Sequence, residues 1–239
     1  MAKPSETSPP PAVIVAAALP QELRAVRKTV ERMVNGFDVD FIATGVGRDA
    51  ATRAVSEALR RHSRVAGVVS CGFAGAITDV LSVGDGVRPS EVIDPEGRRQ
   101  TIENDLPATD ASRHRLVTVD APVTDIAARK QLAARTGADC VDMESSAVAN
   151  VCHGHGVRFV AVRAISDDLR HGLPAEVGRL AAAGGDGPYS LTREVLSGIV
   201  RRPGLIADLW RLSRDAKRAA ATLGPLVADA VRELNDPPE

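Results

Sequence analysis

Aromatic residues are scarce in this 239-residue chain: four Phe, one Trp and one Tyr, 3% in all. A core of packed rings is excluded, and Ala, Val, Leu and Ile must build the interior. The hydrophobic share of 44% is enough for a globular one. Net charge is also nearly absent, with 30 basic against 31 acidic side chains, so no basic field calls for nucleic acid. Only Cys71, Cys140 and Cys152 are present, an odd number in apolar contexts, which points to reduced thiols rather than a disulfide frame. No apolar run reaches membrane-spanning length. Residues 1–11, MAKPSETSPPP, lack the apolar stretch of a signal peptide and read as a disordered tail. The expectation is a soluble cytoplasmic protein of one domain with an appendage.

What is present is an alternation of strand-like and helix-like runs. AVIVAAAL (12–19) is continuously apolar, as a strand buried on both faces should be. Leu23, Val26, Val30 and Met33 give 21–34 a helical period. Strands are predicted at 38–45, 65–72, 83–94, 98–103, 115–123, 138–143 and 157–166, with a turn at Pro95–Gly97. Helices are predicted at 48–62, 125–136 and 144–156, the last ending on Gly156 as its C-cap. The fold class is therefore α/β: one domain with a mostly parallel, twisted central sheet flanked by helices, over residues 12–187. Residues 188–239 read as C-terminal helices packed on that domain, broken at Pro203 and at Gly224–Pro225.

Two acidic pairs stand out, Asp142 with Glu144 at a strand-to-helix junction and Asp167 with Asp168 at the end of the last strand. Carboxylates at two strand ends of an α/β sheet can meet in one crevice. Acids beside an apolar core tend to hold their protons more tightly, as a general acid at neutral pH must. Ser70, Cys71 and Gly72 read as a small-residue turn, where backbone N–H groups can approach an anion or sugar oxygen.

AALPQEL (17–23), TGVGRDAA (44–51), VVSCGFAGAI (68–77), DMES (142–145) and RAISD (163–167) together resemble the purine nucleoside phosphorylase and methylthioadenosine/adenosylhomocysteine nucleosidase superfamily. The segment 201–220 is similar to the tail of the hopanoid-associated phosphorylase branch, for which the resemblance implies adenine removal from adenosylhopane. It also implies a homodimer, a purine nucleoside as substrate, and no cofactor or metal, with phosphate a co-substrate only if the enzyme is a phosphorylase. By the same resemblance Asp167 protonates or hydrogen-bonds N7 of the leaving base, with Ser166 orienting it. Glu144 gathers the ribose hydroxyls and Met143 packs under the sugar. A carboxylate so placed also favours an oxocarbenium-like ribose.

Glu22 separates hydrolysis from phosphorolysis. In the nucleosidases the matching Glu orients the attacking water, whereas phosphorylases place a cation there. Two like charges about 4 Å apart repel by about 4 kcal/mol at an effective dielectric of 20, so a carboxylate here opposes phosphate. Arg24 lies two positions on and off that helix face. Ser70, Gly72 and Phe73 fall in the nucleophile or phosphate pocket, Phe73 standing where nucleosidases carry Ser. Val123 lends backbone groups to the adenine edge, and Pro122 replaces the usual stacking aromatic. Asp142 is expected outside the contact set, and Asp168 as a cap.

Other motifs are set aside. Gly45, Gly47 and Ala50 fit a dinucleotide fingerprint, but no acidic residue ends the next strand. Cys152, His153 and His155 crowd one helix end without a second ligand pair. Leu205, Ile206, Leu209, Trp210 and Leu212, beside Arg211, Arg214, Lys217 and Arg218, would suit a membrane surface, a lipid-like substrate or a docked helix. The competing class is a purine or lipid-nucleoside binding module without chemistry.

Overall fold

The computed structural model describes residues 10–102, 114–170 and 205–235, with the backbone alone for 205–213. Nine strands form one branched sheet: β1 Ala12–Ala17, β2 Val39–Ala43, β3 Val65–Ala76, β4 Gly86–Val87, β5 Glu91–Ile93, β6 Arg99–Thr101, β7 Arg115–Thr118, β8 Cys140–Asp142 and β9 Phe159–Asp167. The helices are α1 Pro20–Met33, α2 Arg48–Arg61, α3 Ile126–Thr136, α4 Ser145–His155 and α5 Leu205–Asn235. The sheet order is β2-β1-β3-β8-β7-β5-β6, with β9 paired to both β3 and β4. Most pairings are parallel, while β3–β8, β4–β9 and β5–β6 are antiparallel.

The continuous apolar run of β1 is explained by burial on both faces. Val13, Val15 and Ala17 pack with Val26 and Val30 of α1 and with Leu223, Val227 and Val231 of α5. Ile14 and Ala16 point the other way, to Val55 and Leu59 of α2 and Val148 and Cys152 of α4. The period of two in the strand thus sorts its side chains between two helical layers. A third cluster joins Ile77, Ile93, Val117, Leu132, Ala138 and Val141 under α3.

Three expectations are corrected. The strand predicted at 65–72 runs on to Ala76, so Ser70, Cys71 and Gly72 lie within a strand and not in a turn. It continues because β9 stays paired with β3 through Gly75 and β8 joins at Gly75 and Ala76. The strand predicted at 83–94 divides into β4 and β5, because β4 pairs with β9 while β5 pairs with β6 and β7. The break predicted at Gly224–Pro225 does not occur, and α5 passes through Pro225. An interior proline costs about 3 kcal/mol, but Leu223, Val227 and Val231 are fully buried beside it at about 1.5–3 kcal/mol each. Gly224 suits a close helix crossing, since a Cβ there would lie 2.9 Å from Thr29 Cβ. The break predicted at Pro203 and the helix predicted over 188–202 lie outside the described residues, as do the side chains of Leu205, Ile206, Leu209, Trp210, Arg211 and Leu212.

The site grows out of the path of β3. Val65–Cys71 pairs with β1, and the strand then leaves β1 and gains β8 at Gly75. Between those points the C-terminal ends of β1 and β3 part and leave a crevice, where α/β sheets place ligands.

Candidate active site

The crevice is lined by Ala16–Ala18 of β1 and the residue following it, Thr44 after β2, Ser70–Phe73 of β3, Glu22 of α1, Glu144 and Val148 at the start of α4, and Arg163 of β9. It leaves about 10 Å³ to the centre of a water-sized sphere, which is room for about one water molecule.

Glu22 is in the first turn of α1, after Pro20 sets the helix start. Its Oε2 accepts from Leu19 N–H at 2.9 Å, and its Oε1 from Phe73 N–H at 3.0 Å. It is 6% exposed, not a solvated first-turn acid. Burial pushes its pKa up, although the two N–H donors and Arg163 pull the other way. Gly72 makes the approach possible, because a Cβ there would stand 3.0 Å from Glu22 Oε1. Arg24 is exposed on another face of the helix and does not line the crevice.

Glu144 is the N-cap residue of α4, and its Oε1 accepts from Gly47 N–H at 2.7 Å. Gly47 adopts φ +92° to turn that N–H toward the carboxylate, a conformation L side chains rarely take. Gly47 of the fingerprint-like GVGRDAA therefore serves this carboxylate, while Gly45 N–H donates to Ala18 O at 3.0 Å. Burial, with Asp142 nearby, pushes the Glu144 pKa up to about 7. Met143 is half-buried beside it and does not line the crevice.

Arg163 was missed by the sequence reading, and it organises the site. It is 2% exposed in the middle of β9. Its guanidinium donates to Asp142 Oδ2 at 2.8 Å, Ser70 Oγ at 2.9 Å, Ser145 Oγ at 2.7 Å and Ser70 O at 2.7 Å. Burial alone would lower its pKa, but Asp142 more than offsets this and the net direction is up. Asp142, expected outside the contact set, does not line the crevice and is instead this cation's buried partner. It also accepts from Thr118 Oγ1 at 2.8 Å and Ser145 N–H at 3.1 Å. The sequence signal was present: a lone Arg inside the apolar run FVAVRAI must find a carboxylate.

Asp167, Ser166 and Val123 form a second cluster, around another buried cation. Ser166 Oγ donates to Asp167 Oδ1 at 2.7 Å, and Arg129 Nη2 pairs with Asp167 Oδ2. Arg129 Nε donates to Val123 O at 2.7 Å, and Nη1 to Ala76 O at 3.2 Å. Asp168 Oδ1 accepts from Arg170 N–H at 3.0 Å, and the segment it is expected to cap continues outside the described residues. Cys71 faces the crevice, but burial pushes its thiol up to about 12, so it is no nucleophile at neutral pH. Cys152 is buried while His153 and His155 are exposed. No group of three or more metal-ligating side chains converges among the described residues. No described helix is long and apolar enough to cross a membrane.

The family model described as Phosphorylase superfamily matches residues 15–197. A 5'-methylthioadenosine/S-adenosylhomocysteine nucleosidase of Actinobacillus succinogenes is 29% identical over 164 residues, spanning 57% of this chain and 71% of the relative. The structure of a nucleosidase of the same description from Colwellia psychrerythraea, in complex with adenine, superposes with a TM-score of 0.65 at 19% identity. That match covers 94% of this chain and 96% of the other. A futalosine hydrolase of Helicobacter pylori gives a TM-score of 0.61 at 15% identity, covering 92% and 98%. These superpositions establish a shared fold, one that carries more than one substrate specificity.

Proposed function

Because this chain belongs to the Phosphorylase superfamily, we propose that it cleaves the N-glycosidic bond of an adenine nucleoside with water as nucleophile. The observation that carries this is the convergence of Glu22, Ser70, Glu144 and Arg163 on one crevice. Glu22 orients that water and takes its proton as the water oxygen bonds to C1′ and the C1′–N9 bond breaks. A carboxylate whose pKa is raised by burial is suited to that exchange near neutral pH. Glu144 holds the ribose hydroxyls and favours positive charge on the sugar, with Met143 beneath it. Asp167 serves N7 of the base, and Val123 the adenine edge. None of these steps calls for a metal or organic cofactor.

Water is favoured over phosphate by the charges in the crevice. Among the described residues the one lining cation, Arg163, is already paired with Asp142, so Glu22 and Glu144, wherever they are ionised, repel an anion. For the group on the ribose 5′ carbon we propose the bulky hopane of adenosylhopane over the small methylthio group. The basis is the resemblance of residues 201–220 and the replacement of a nucleosidase Ser by Phe73, which widens the apolar wall. We place the enzyme in the cytoplasm as a homodimer, with membrane contact through the C-terminal helices.

The test is adenine release from adenosine, methylthioadenosine, adenosylhomocysteine and adenosylhopane, each with and without phosphate. Free sugar as product in both conditions is expected. Sugar-1-phosphate as sole product would end the role given to Glu22, and a preference for small 5′ groups would end the hopanoid assignment.

A further inference from the structure

Arg129 is the largest fully buried side chain of the described structure, 1% exposed on α3. Its three donor nitrogens bridge Val123 O, Ala76 O and Asp167 Oδ2. The space for this bridge is reserved by Gly75, where a Cβ would lie 2.9 Å from Asp167 Oδ2 and 3.3 Å from Arg129 Nη2. Val123 and Asp167 are the two groups that the adenine reading assigns to the base. They sit at different nitrogens of one planar guanidinium, so a purine edge reaching both must take that plane. The 6-amino N–H group offers a donor to Val123 O, as Arg129 Nε does now, and N7, which has no hydrogen of its own, bonds to Asp167 through a proton taken up from solvent as Arg129 leaves.

From this geometry we infer that Arg129 is an internal competitor for the base site, holding the acceptors of a 6-aminopurine until one displaces it. The inference rests on the adenine reading above and adds a residue that sets base affinity. Binding requires the fraction of molecules in which the bridge is open, and apparent affinity falls by that fraction. Arg129 touches the base-recognition groups and acts through them; it is not assigned a part in bond breaking.

Free adenine is the probe, titrated calorimetrically into the full-length protein. Arg129→Met keeps most of the stem and removes every donor, so adenine should bind about tenfold tighter or more while Tm falls. A purely structural role would lower Tm and leave adenine affinity unchanged or weaker, and that result overturns the inference. Should Arg129→Met fail to fold, Arg129→Lys retains the charge but cannot span three acceptors. A smaller tightening is expected, and unchanged or weaker binding again overturns it. The wild type gives an independent readout, because its association rate should level off with rising adenine as bridge opening becomes limiting. A rate that climbs linearly through saturation is incompatible with the bridge. Adenine release by the wild type separates the two ideas. If the wild type releases adenine and the affinities fail, only the competitor falls; if it releases none from any nucleoside, both fall.

Discussion

Replacing Glu144 by Gln isolates what burial does to this carboxylate. Glu144 ionises at about 7 in place of 4.5, first because burial disfavours its charge and second because Asp142 repels it; the Gly47 N–H and Arg163 act in the opposite sense. At about 1.4 kcal/mol per pH unit, its neutral form is favoured by roughly 3 kcal/mol. That figure is an upper bound, since water reaches part of the side chain and screens it. The folded pKa is the raised one, so the stabilisation is complete below pH 4.5 and is lost as pH rises through about 7. Gln is a permanent copy of the neutral acid and can still accept from Gly47 N–H. Glu144→Gln should therefore match the wild type at pH 4 and exceed it by up to about 3 kcal/mol at pH 8. That corresponds to roughly 6–12 °C in Tm for a chain of this size. Paired thermal melts from pH 4 to 8.5 at fixed ionic strength measure the difference. Activity should move the other way: kcat/KM for adenine release falls on the order of 10²–10³-fold, and only the Glu22 limb of the pH profile remains. A stability difference that stays constant with pH, or that favours the wild type increasingly at high pH, refutes the reasoning.

Arg163→Met should cost about 3–5 kcal/mol in urea denaturation, because it leaves Asp142 buried without its cation. It should also abolish adenine release, and a stable, active variant would show that the bridge between Ser70 and Asp142 is dispensable. Gly75→Ala should destabilise by about 1–3 kcal/mol and reduce turnover, since the added methyl meets Asp167 Oδ2 at 2.9 Å while Ser166 and Arg129 hold that carboxylate in place. Gly154→Ala supplies the contrast: its Cβ meets nothing within 4 Å in α4, so it should gain roughly 0.5–1 kcal/mol.

Much of the layered frame was legible because period and burial coincide. The all-apolar 12–19 run could only be a strand covered on both faces, and the i, i+3, i+7 spacing of α1 could only face it. What was not legible depended on partners distant in sequence. The extension of β3 past Gly72 is set by β8 and β9, strands that begin 64 or more residues later, and no local propensity at Ser70–Phe73 reports them. The helix through Pro225 likewise follows from burial of Leu223, Val227 and Val231, which overrides a sound local stop signal. Among site residues, Glu22 and Glu144 reach the crevice because each ends a local strand-to-helix turn. The link between Asp167 and Val123 depends on Arg129, which no motif marked.

The two arginines the sequence reading passed over share one physical signature, and it assigns each half of the site its organiser. Arg163 interrupts an apolar strand, and Arg129 lies in helical phase with the buried Leu132 and Thr136. A cation in an apolar phase is tolerated only if a carboxylate and several carbonyl or hydroxyl acceptors meet it. Arg163 meets Asp142, Ser70 and Ser145 and so fixes the half of the site that the proposed function gives to nucleophile and sugar. Arg129 meets Asp167, Val123 and Ala76 and so fixes the half that the proposed function gives to the base. The difference lies in what they hold. Arg163 is bound to groups that support the crevice, and it can stay while a substrate enters. Arg129 is bound to the groups proposed for the base, and on that proposal it must yield. On these proposals one half of the site is built before the substrate arrives, and the other is completed only by a base that displaces Arg129.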